Sequence, residues 1–516
     1  MSKFGSIKVR NMVAVGRTTS DTVRLWLRSE KPGEHDLEVW PESGPGRMSN
    51  ARINVPAGNR SDNTLAFDYP AGLAHQEPLR PFQAYGFRIS RTADKEIVGQ
   101  GRFETAPEDG MAGPEKFSLA VMSCHQPFNS DGRLSERSMR MLKITPRVME
   151  ENRVKFVLLC GDQLYSDVPD DFSLINPHYF STKIMPDRND ILECTPEEVR
   201  RVYQDRYRIF WSMEEWQHLL ANYPCYPILD DHEIRDDWGS NKEHSTAKYR
   251  NFFQGAKAAY FDYQGSLTLP LTREIPLSFH YHFAYGSAAV FVMDIRTQRK
   301  ADTRNRLYGP DQYRDFDRFL KTHRDKRVLL LVTSVPIVHL PSWLVDAGAA
   351  LVGDKVDFPD HWTYKKNLPA RDKILKRLHA HQKAHPRQRV VIISGDVHIG
   401  CVFAIQWKGP DPREPRLFQF TASAVSNRLK KHEAFFSKIP PHLVTSLKTS
   451  RGGPAAEVGL LDPLSDAADK NPFGGLNLGL IEISEAGSHS TVNLKLIGYP
   501  SKEQWRPKTM FESGEL

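Results

Sequence analysis

The sequence has few cysteines, and none of them is arranged as a paired motif. Only five occur in 516 residues, and no two share a CxxC spacing. A disulfide framework or a zinc knuckle is therefore not expected, and a reducing compartment fits better. For four of them the simplest role is that of a small buried residue: Cys160, Cys194, Cys225 and Cys401.

Long hydrophobic runs are missing as well. No stretch approaches the roughly 18 continuous apolar residues of a transmembrane helix. The N-terminal segment, MSKFGSIKVRNMVAVGR, contains neither an apolar run of roughly 7–15 residues nor a small-residue cleavage site. These absences argue against a transmembrane segment and a secretory signal, and they predict a cytoplasmic enzyme.

A strong excess of charge of one sign is also absent. The 70 lysines and arginines stand against 63 aspartates and glutamates, which gives a net charge of +7. This mild excess suits an anionic substrate or an ordinary solvated surface, and it lacks the clustering that nucleic-acid binding requires. With 40% apolar and 26% charged residues, the composition is that of a globular protein, and the length predicts about two or three domains, or one large domain with an appendage.

Residues 1–112 have the pattern of a small all-β domain. The run Thr22–Leu27 alternates polar and apolar residues, as a half-buried strand does, and Tyr85–Ile89 is a similar short run. Gly, Pro, Ser and Asp cluster between such runs as turn residues. The pattern predicts a β-sandwich, and no residue in it indicates chemistry.

Residues 113–516 change to an α/β pattern. Apolar strands that end in polar residues alternate with helical segments, of which Pro196–Ala221 is the clearest. We predict a C-terminal hairpin, Leu478–Ile483 with Thr491–Ile497, and a long surface loop, Phe435–Pro472. The predicted core strands are Phe117–Met122, Val154–Cys160, Cys225–Leu229, Ala288–Met293, Arg327–Val332 and Val390–Ser394.

Acidic residues recur where these strands end. Asp162, Asp231 and Asp396 each follow a strand, and His398 comes two residues after the last of them. A single aspartate in this position is usually a turn or helix-cap residue. The repetition favours a site for metal ions, because ligands bind at the carboxyl ends of strands in α/β folds and carboxylates can bridge two cations. Tyr165 is either a phenolate ligand of an Fe(III)-like ion or a packed tyrosine with a hydrogen-bonded hydroxyl.

A set of short motifs resembles a known family. Four segments, Ser123-Cys124, Gly161–Tyr165, Asp230–Glu233 and Ser394–His398, are similar to the signature set of the alkaline phosphatase D family. That family belongs to the calcineurin-like metallophosphoesterases. Further similar segments are Asp294–Arg296, Gly309–Gln312 and Asp360–Trp362, and the whole set runs in one collinear order over residues 116–427.

The resemblance implies a fold and a ligand set. The fold would be a four-layer α-β-β-α sandwich preceded by a fibronectin-like domain. Asp162 would bridge two metal ions, and Cys124, Tyr165 and His398 would bind an iron-like ion, Fe(III). Asp231 and Asp396 would bind a second divalent ion such as Ca²⁺, with Mn²⁺, Mg²⁺ or Zn²⁺ as alternatives.

The resemblance also implies roles around the substrate. His232 would lie near the substrate oxygens, and Arg296 would clamp the phosphate with its planar guanidinium. The superfamily has a metal-binding histidine after the strand Arg327–Val332, but this chain has Thr333-Ser334 there. We interpret Ser334 as facing the site without being a strong ligand, and His339, the next histidine, as structural.

The activity implied is hydrolysis of a phosphate ester by two-metal chemistry, on phosphodiesters as well as phosphomonoesters. Two alternatives stay open at this stage. One is a phospholipase D-like or nucleotide-cleaving metallohydrolase on the same scaffold, and the other is a catalytically weak protein that binds phosphate esters. Many relatives in the implied family are exported, and the sequence does not indicate an oligomeric state.

Overall fold

The structure is a computed structural model of the chain. It describes residues 7–43, 48–58, 61–71, 73, 77–109, 114–272, 274–301, 306–339, 358–409, 414–427, 445–448, 455–464, 470–486, 489–500, 504 and 506–516. Gly487 of the predicted hairpin turn and part of the predicted loop 435–472 lie outside the described residues.

The N-terminal part is a β-sandwich, as its alternating segments predict. Its strands are β1 (Met12–Thr18), β2 (Val23–Arg28), β3 (Gly33–Pro41), β4 (Ser49–Val55), β5 (Thr64–Tyr69), β6 (Ala84–Arg91) and β7 (Ile97–Glu104). One sheet has the order β1-β2-β5 and the other β4-β3-β6-β7, and all pairs are antiparallel. Apolar side chains of both sheets, such as Leu25, Leu37 and Phe87, fill the space between them.

The rest of the chain contributes two larger sheets. Its strands are β8 (Lys116–Met122), β9 (Val154–Cys160), β10 (Cys225–Ile228), β11 (Tyr281–Tyr285), β12 (Ala288–Met293), β13 (Val328–Thr333), β14 (Arg389–Ser394), β15 (Cys401–Lys408), β16 (Arg416–Thr421), β17 (Thr445–Lys448), β18 (Ala455–Leu460), β19 (Asn477–Ala486), β20 (His489–Gly498) and β21 (Lys508–Glu512). The first sheet has the order β10-β9-β8-β19-β20-β21. The second has the order β11-β12-β13-β14-β16-β15-β18-β17.

Both faces of the second sheet are buried, which explains why its strands are continuously apolar. Val290 and Val292 of β12 pack in the same core as Leu119 of the first sheet. Their neighbour Phe291 points the other way and packs with Phe316 of a covering helix. This alternation confirms the predicted arrangement of two facing sheets with helices on their outer sides.

The longer helices are α1 (Glu136–Glu151), α2 (Pro196–Trp211), α3 (Glu214–Asn222), α4 (Arg250–Tyr263), α5 (Pro310–Thr322) and α6 (Leu368–Ala384). Helix α2 begins at a capping box, in which Thr195 and Glu198 satisfy each other's backbone N–H groups. The prediction of one helix over Pro196–Ala221 is wrong, because Met213 is extended and separates α2 from α3. None of the described helices combines the length and apolar character needed to cross a bilayer.

The predicted C-terminal hairpin is confirmed as β19 and β20, and β19 also pairs with β8. The hairpin is therefore an integral part of the first sheet. The prediction that residues 435–472 form only a surface loop is wrong in part, since β17 and β18 lie in this segment. Strand β18 pairs with β15, and such short strands are held by that distant partner rather than by a strong local pattern.

Candidate metal centre

Four loops bring polar side chains to one edge of the facing sheets. Strands β8, β9 and β10 run parallel in the first sheet, and β12, β13 and β14 run parallel in the second. The loops that follow β8, β9, β10 and β14 carry Cys124, Asp162, Asp231 and Asp396. The atoms of these residues that could bind a metal ion form overlapping groups, so the predicted convergence of strand ends is present.

The first group contains residues predicted to bind an iron-like ion. Ligand atoms of Cys124, Asp162 and His398 all lie within 4.8 Å of one another. The Cys124 thiol donates to Asp162 Oδ2 at 3.4 Å, and the Tyr165 hydroxyl donates to the same oxygen at 3.2 Å. Tyr165 Oη also lies 3.3 Å from His398 Nε2. A thiol, a phenol, an imidazole and a carboxylate are thus gathered around one point.

The second group consists of carboxylates. Oxygens of Asp162, Asp230, Asp231 and Asp396 all lie within 4.8 Å of one another. Asp162 belongs to both groups, which is the placement expected of a bridging ligand. Asp230 is not among the ligands predicted from the sequence, although it stands directly beside Asp231.

Burial and mutual repulsion raise the pKa values of carboxyl groups in this centre. Burial, followed by the nearby Asp231 and Asp230, raises the pKa of Asp162 well above its ordinary value against the opposing effect of His232. Burial raises the pKa of Asp230 to about 7, against its pairing with Arg296. Asp162 Oδ1 and Asp230 Oδ2 are buried and have no hydrogen-bond partner among the described residues. Buried carboxylates of this kind fit a site for hard cations.

The thiol and the phenol are held in their neutral forms by the same surroundings. Burial raises the pKa of Cys124, and Asp162 and Asp396 raise it further. Burial and Asp162 likewise raise the pKa of Tyr165. A strongly acidic cation would reverse this preference, because a coordinated thiol or phenol loses its proton.

The backbone of the ligand loops is left-handed at four of these residues. The φ angles are 56° at Cys124, 58° at Asp162, 67° at Asp396 and 55° at His398. Such values are uncommon for residues with a Cβ, and they persist only where surrounding contacts impose them. Gly395 is required for a different reason, because a Cβ there would lie 2.4 Å from the Cβ of Ser123.

Glu233 supplies the contacts that fix two of the loops. Its Oε1 accepts the backbone N–H of Gln163 at 2.6 Å. Its Oε2 accepts the N–H of Asp162 at 3.0 Å and of Asp230 at 2.7 Å. Glu233 is fully buried. Glu233 is therefore a positioning residue. It lies in the segment Asp230–Glu233 that resembles a family motif, but no role was predicted for it from the sequence.

Arg296 does not fit the predicted role of phosphate clamp. Its side chain is completely buried, and its Nε donates to Asp230. Its two terminal nitrogens donate to Asp360 at 2.6 and 2.7 Å, and one of them also donates to the carbonyl of Trp238. The guanidinium thus neutralises Asp360 and Asp230 of the second group, and it presents no exposed surface to a phosphate.

His232 lies at the edge of the centre and has its own partner. Its Nδ1 is 2.7 Å from Asp167 Oδ1, and the second oxygen of Asp167 accepts the N–H of Asp236 at 2.5 Å. Burial opposes a charge on His232, but Asp167, Asp231 and Asp162 outweigh it and raise the pKa well above its ordinary value. These carboxylates favour the protonated imidazole, and Asp167 holds the ring in one orientation.

Three further residues complete the description of this region: Asn427, Ser334 and His339. Asn427 Nδ2 lies 3.0 Å from both Tyr165 Oη and His398 Nε2. Ser334 donates to Asp230 Oδ1 at 2.7 Å, and so faces the centre as predicted. His339 packs edge-on against Phe403, and burial lowers its pKa to about 3. No sequence signal singled out Asn427, which is close to the centre only through the fold.

The comparisons with known proteins agree on the family and the fold. A family model described as PhoD-like phosphatase matches residues 119–450, which is well over half of the chain. A solved structure described as "Structure of PhoD" is similar with a TM-score of 0.66 and 14% identity, over 97% of this chain and 88% of that chain. This likeness shows a shared fold.

Another solved structure, a glycosyl hydrolase family 2 member from Bacteroides cellulosilyticus DSM 14838, has 10% identity over 98% of this chain and 63% of that chain. Its TM-score of 0.21 is too low to indicate a common fold. No curated protein matches the sequence.

Proposed function

The chain belongs to the PhoD-like phosphatase family, and on that premise we propose that it hydrolyses phosphodiesters as well as phosphomonoesters at a two-cation centre bridged by Asp162. The observation that supports the proposal most is the overlap of two groups of ligand atoms at that one residue. Carboxylates with buried, unpartnered oxygens suit cations, and phosphate esters are substrates that cations can hold.

The two groups differ in ligand chemistry, and this difference supports two different ions. Cys124, Tyr165 and His398 provide sulfur, phenol and imidazole, which suit an Fe(III)-like ion. Asp231 and Asp396 provide only oxygens, which suit Ca²⁺ or another hard divalent ion, and Asp230 is placed to add one more. When bound, such ions would lower the pKa of water and neutralise charge on the substrate phosphate.

His232 is the residue we assign to the leaving group. Asp167 occupies Nδ1 and favours the protonated imidazole, so Nε2 is the nitrogen left to donate a proton. Nε2 lies 3.7 Å from Asp236 Oδ1, whose side chain is 67% exposed, which places this nitrogen on the open side of the centre. A proton delivered to the departing oxygen would assist cleavage of the ester bond.

A role as general acid predicts that the effect of His232→Gln depends on the leaving group. We expect kcat to fall by about 10²–10⁴-fold on alkyl phosphate esters, whose departing oxygen needs a proton. We expect little change on p-nitrophenyl esters, which depart as stable anions. Steady-state kinetics on both substrates measure the difference. An equal loss on both would contradict the assignment and would indicate a role in binding.

A substrate panel tests the proposed function itself. Purified full-length protein loaded with iron and calcium is expected to hydrolyse both bis(p-nitrophenyl) phosphate and p-nitrophenyl phosphate, and chelation is expected to remove both activities. Turnover of neither ester under any metal condition would contradict the proposal and favour a protein that binds phosphate esters. Turnover restricted to nucleotides or to phospholipids would favour the corresponding alternative enzyme.

The free state of the cysteines is relevant to the cellular compartment in which the protein works. All five are free and buried, and one of them, Cys124, is a proposed ligand that a disulfide would remove. We therefore propose a reducing compartment, such as the cytoplasm, as the place where the enzyme works.

A further inference from the structure

The N-terminal sandwich contributes none of the proposed ligands, yet it forms hydrogen bonds with a segment that supports them. We call residues 262–269, at and beyond the end of α4, the shared turn. We propose that Gln264 in this turn is a positioning residue of the metal centre, and that the sandwich holds the turn in place. The inference rests on the metal centre proposed above.

Gln264 is hydrogen-bonded to Glu233, the residue that fixes the ligand loops. Its Nε2 donates to Glu233 Oε1 at 3.1 Å and to Tyr207 Oη at 3.1 Å. Glu233 in turn accepts the backbone N–H groups of Asp162, Gln163 and Asp230. Gln264 is completely buried, so water cannot replace its amide if that group is lost.

The sandwich donates hydrogen bonds to three carbonyls of the shared turn. Trp26 Nε1 donates to the carbonyl of Asp262 at 2.7 Å. One terminal nitrogen of Arg24 donates to the carbonyls of Ser266 at 2.6 Å and Leu269 at 3.0 Å. The last carbonyls of a helix lack partners within it, and those near its end are buried here under the sandwich. The sandwich therefore satisfies one carbonyl of α4 and two carbonyls of the turn beyond it.

The backbone of the sandwich also approaches the shared turn closely. A Cβ at Gly16 of β1 would lie 2.2 Å from the carbonyl oxygen of Leu267, so only glycine fits at this position. Arg24 is kept in place by Asp68, which accepts from it at 2.7 and 2.9 Å. These contacts fix the position of the turn relative to β1 and β2.

A second set of contacts connects the sandwich to Tyr207, the other hydrogen-bond partner of Gln264. Asp62 of the sandwich accepts from Arg28 at 2.8 Å, from Arg208 of α2 at 2.5 Å and from the hydroxyl of Tyr263. Tyr263 stacks on Tyr207, with ring centroids 4.7 Å apart. Tyr207 is the residue whose hydroxyl accepts from Gln264. The sandwich thus supports Gln264 from both sides.

The test uses metal retention, which a merely structural contact would not change. Metal-loaded full-length protein is mixed with excess chelator, and the rate at which iron and calcium leave is followed by elemental analysis. Loss of a hydrogen bond made directly to a metal ligand typically weakens metal binding by about 10–100-fold, and Gln264 acts through one further residue, so its effect lies at the lower end. We expect Gln264→Leu to release its ions about tenfold faster than the wild type, and Trp26→Phe to release them a few times faster.

Tyr226→Phe is the matched control. It removes a different hydrogen bond between the sandwich and the rest of the chain, the one from Thr18 N to Tyr226 Oη at 3.1 Å, which does not involve the shared turn. We expect metal release from it to equal that of the wild type. Circular dichroism verifies that each variant is folded, and Gln264→Met replaces Gln264→Leu if the latter does not fold.

Three outcomes would overturn the inference or its premise. A Gln264 variant that retains its ions like Tyr226→Phe would refute the role of Gln264. Fast release by that variant with no change in Trp26→Phe would refute the role of the sandwich. Wild-type protein that binds no ions would refute the proposed metal centre instead, so the two failures are distinguishable.

Discussion

Asp162→Asn is expected to lose phosphate-ester hydrolysis almost completely. Asp162 shares ligand groups with Cys124 and His398 on one side and with Asp230, Asp231 and Asp396 on the other. A neutral amide in its place would weaken both ion sites at once, whereas the loss of any other ligand weakens one. Metal ions contribute several kcal/mol to phosphoryl transfer, and about 4 kcal/mol corresponds to about a thousandfold in rate.

The fold is expected to survive this change, so a loss of activity would reflect the loss of the metal ligand rather than unfolding. The substituted residue can still donate its backbone N–H to Glu233, because that hydrogen bond does not involve the side chain at this position. Asp171→Asn is a suitable control, since Asp171 is exposed and lies after the same strand. We expect kcat of this control to stay at the wild-type value. Activity of Asp162→Asn within about tenfold of the wild type would contradict the bridging role.

Arg296→Met is expected to destabilise the protein. The substitution removes the arginine that pairs with buried Asp230, whereas Asp360 keeps its ion pair with Arg299. Removing one partner of a buried ion pair costs about 3–5 kcal/mol. Urea unfolding of the metal-free protein measures the stability.

Arg296→Lys distinguishes this role from that of a phosphate clamp. Lysine keeps the charge but cannot hold Asp230 and Asp360 with one planar group, so we expect an intermediate loss of stability. A clamp would instead give a raised KM with stability unchanged. That second pattern would restore the role inferred from the family resemblance and contradict the placement seen in the structure.

The strand ends were predictable because they follow from local sequence. Buried parallel strands are continuously apolar, so a polar residue after them marks both the end of the strand and the edge where ligands gather. Asp162, Asp231 and Asp396 were found in this way, and His398 from its spacing. The same logic predicted the α/β core and the hairpin of β19 and β20.

What the sequence did not predict depends on contacts between distant segments. Arg296 follows β12 but pairs with Asp230 after β10 and with Asp360, and no spacing in the sequence indicates those partners. Asn427 reaches Tyr165 across 262 positions of the chain. The break between α2 and α3 and the short strand β18 likewise depend on their surroundings rather than on periodicity.

Elemental analysis of the purified protein, repeated on Asp162→Asn, tests the bridged two-cation centre most directly. We predict about two ions per wild-type chain, one of them iron and the other calcium or a similar divalent ion, and fewer than one in the variant. Wild-type protein that hydrolyses phosphate esters with no bound metal, or a variant that retains both ions, would contradict the centre.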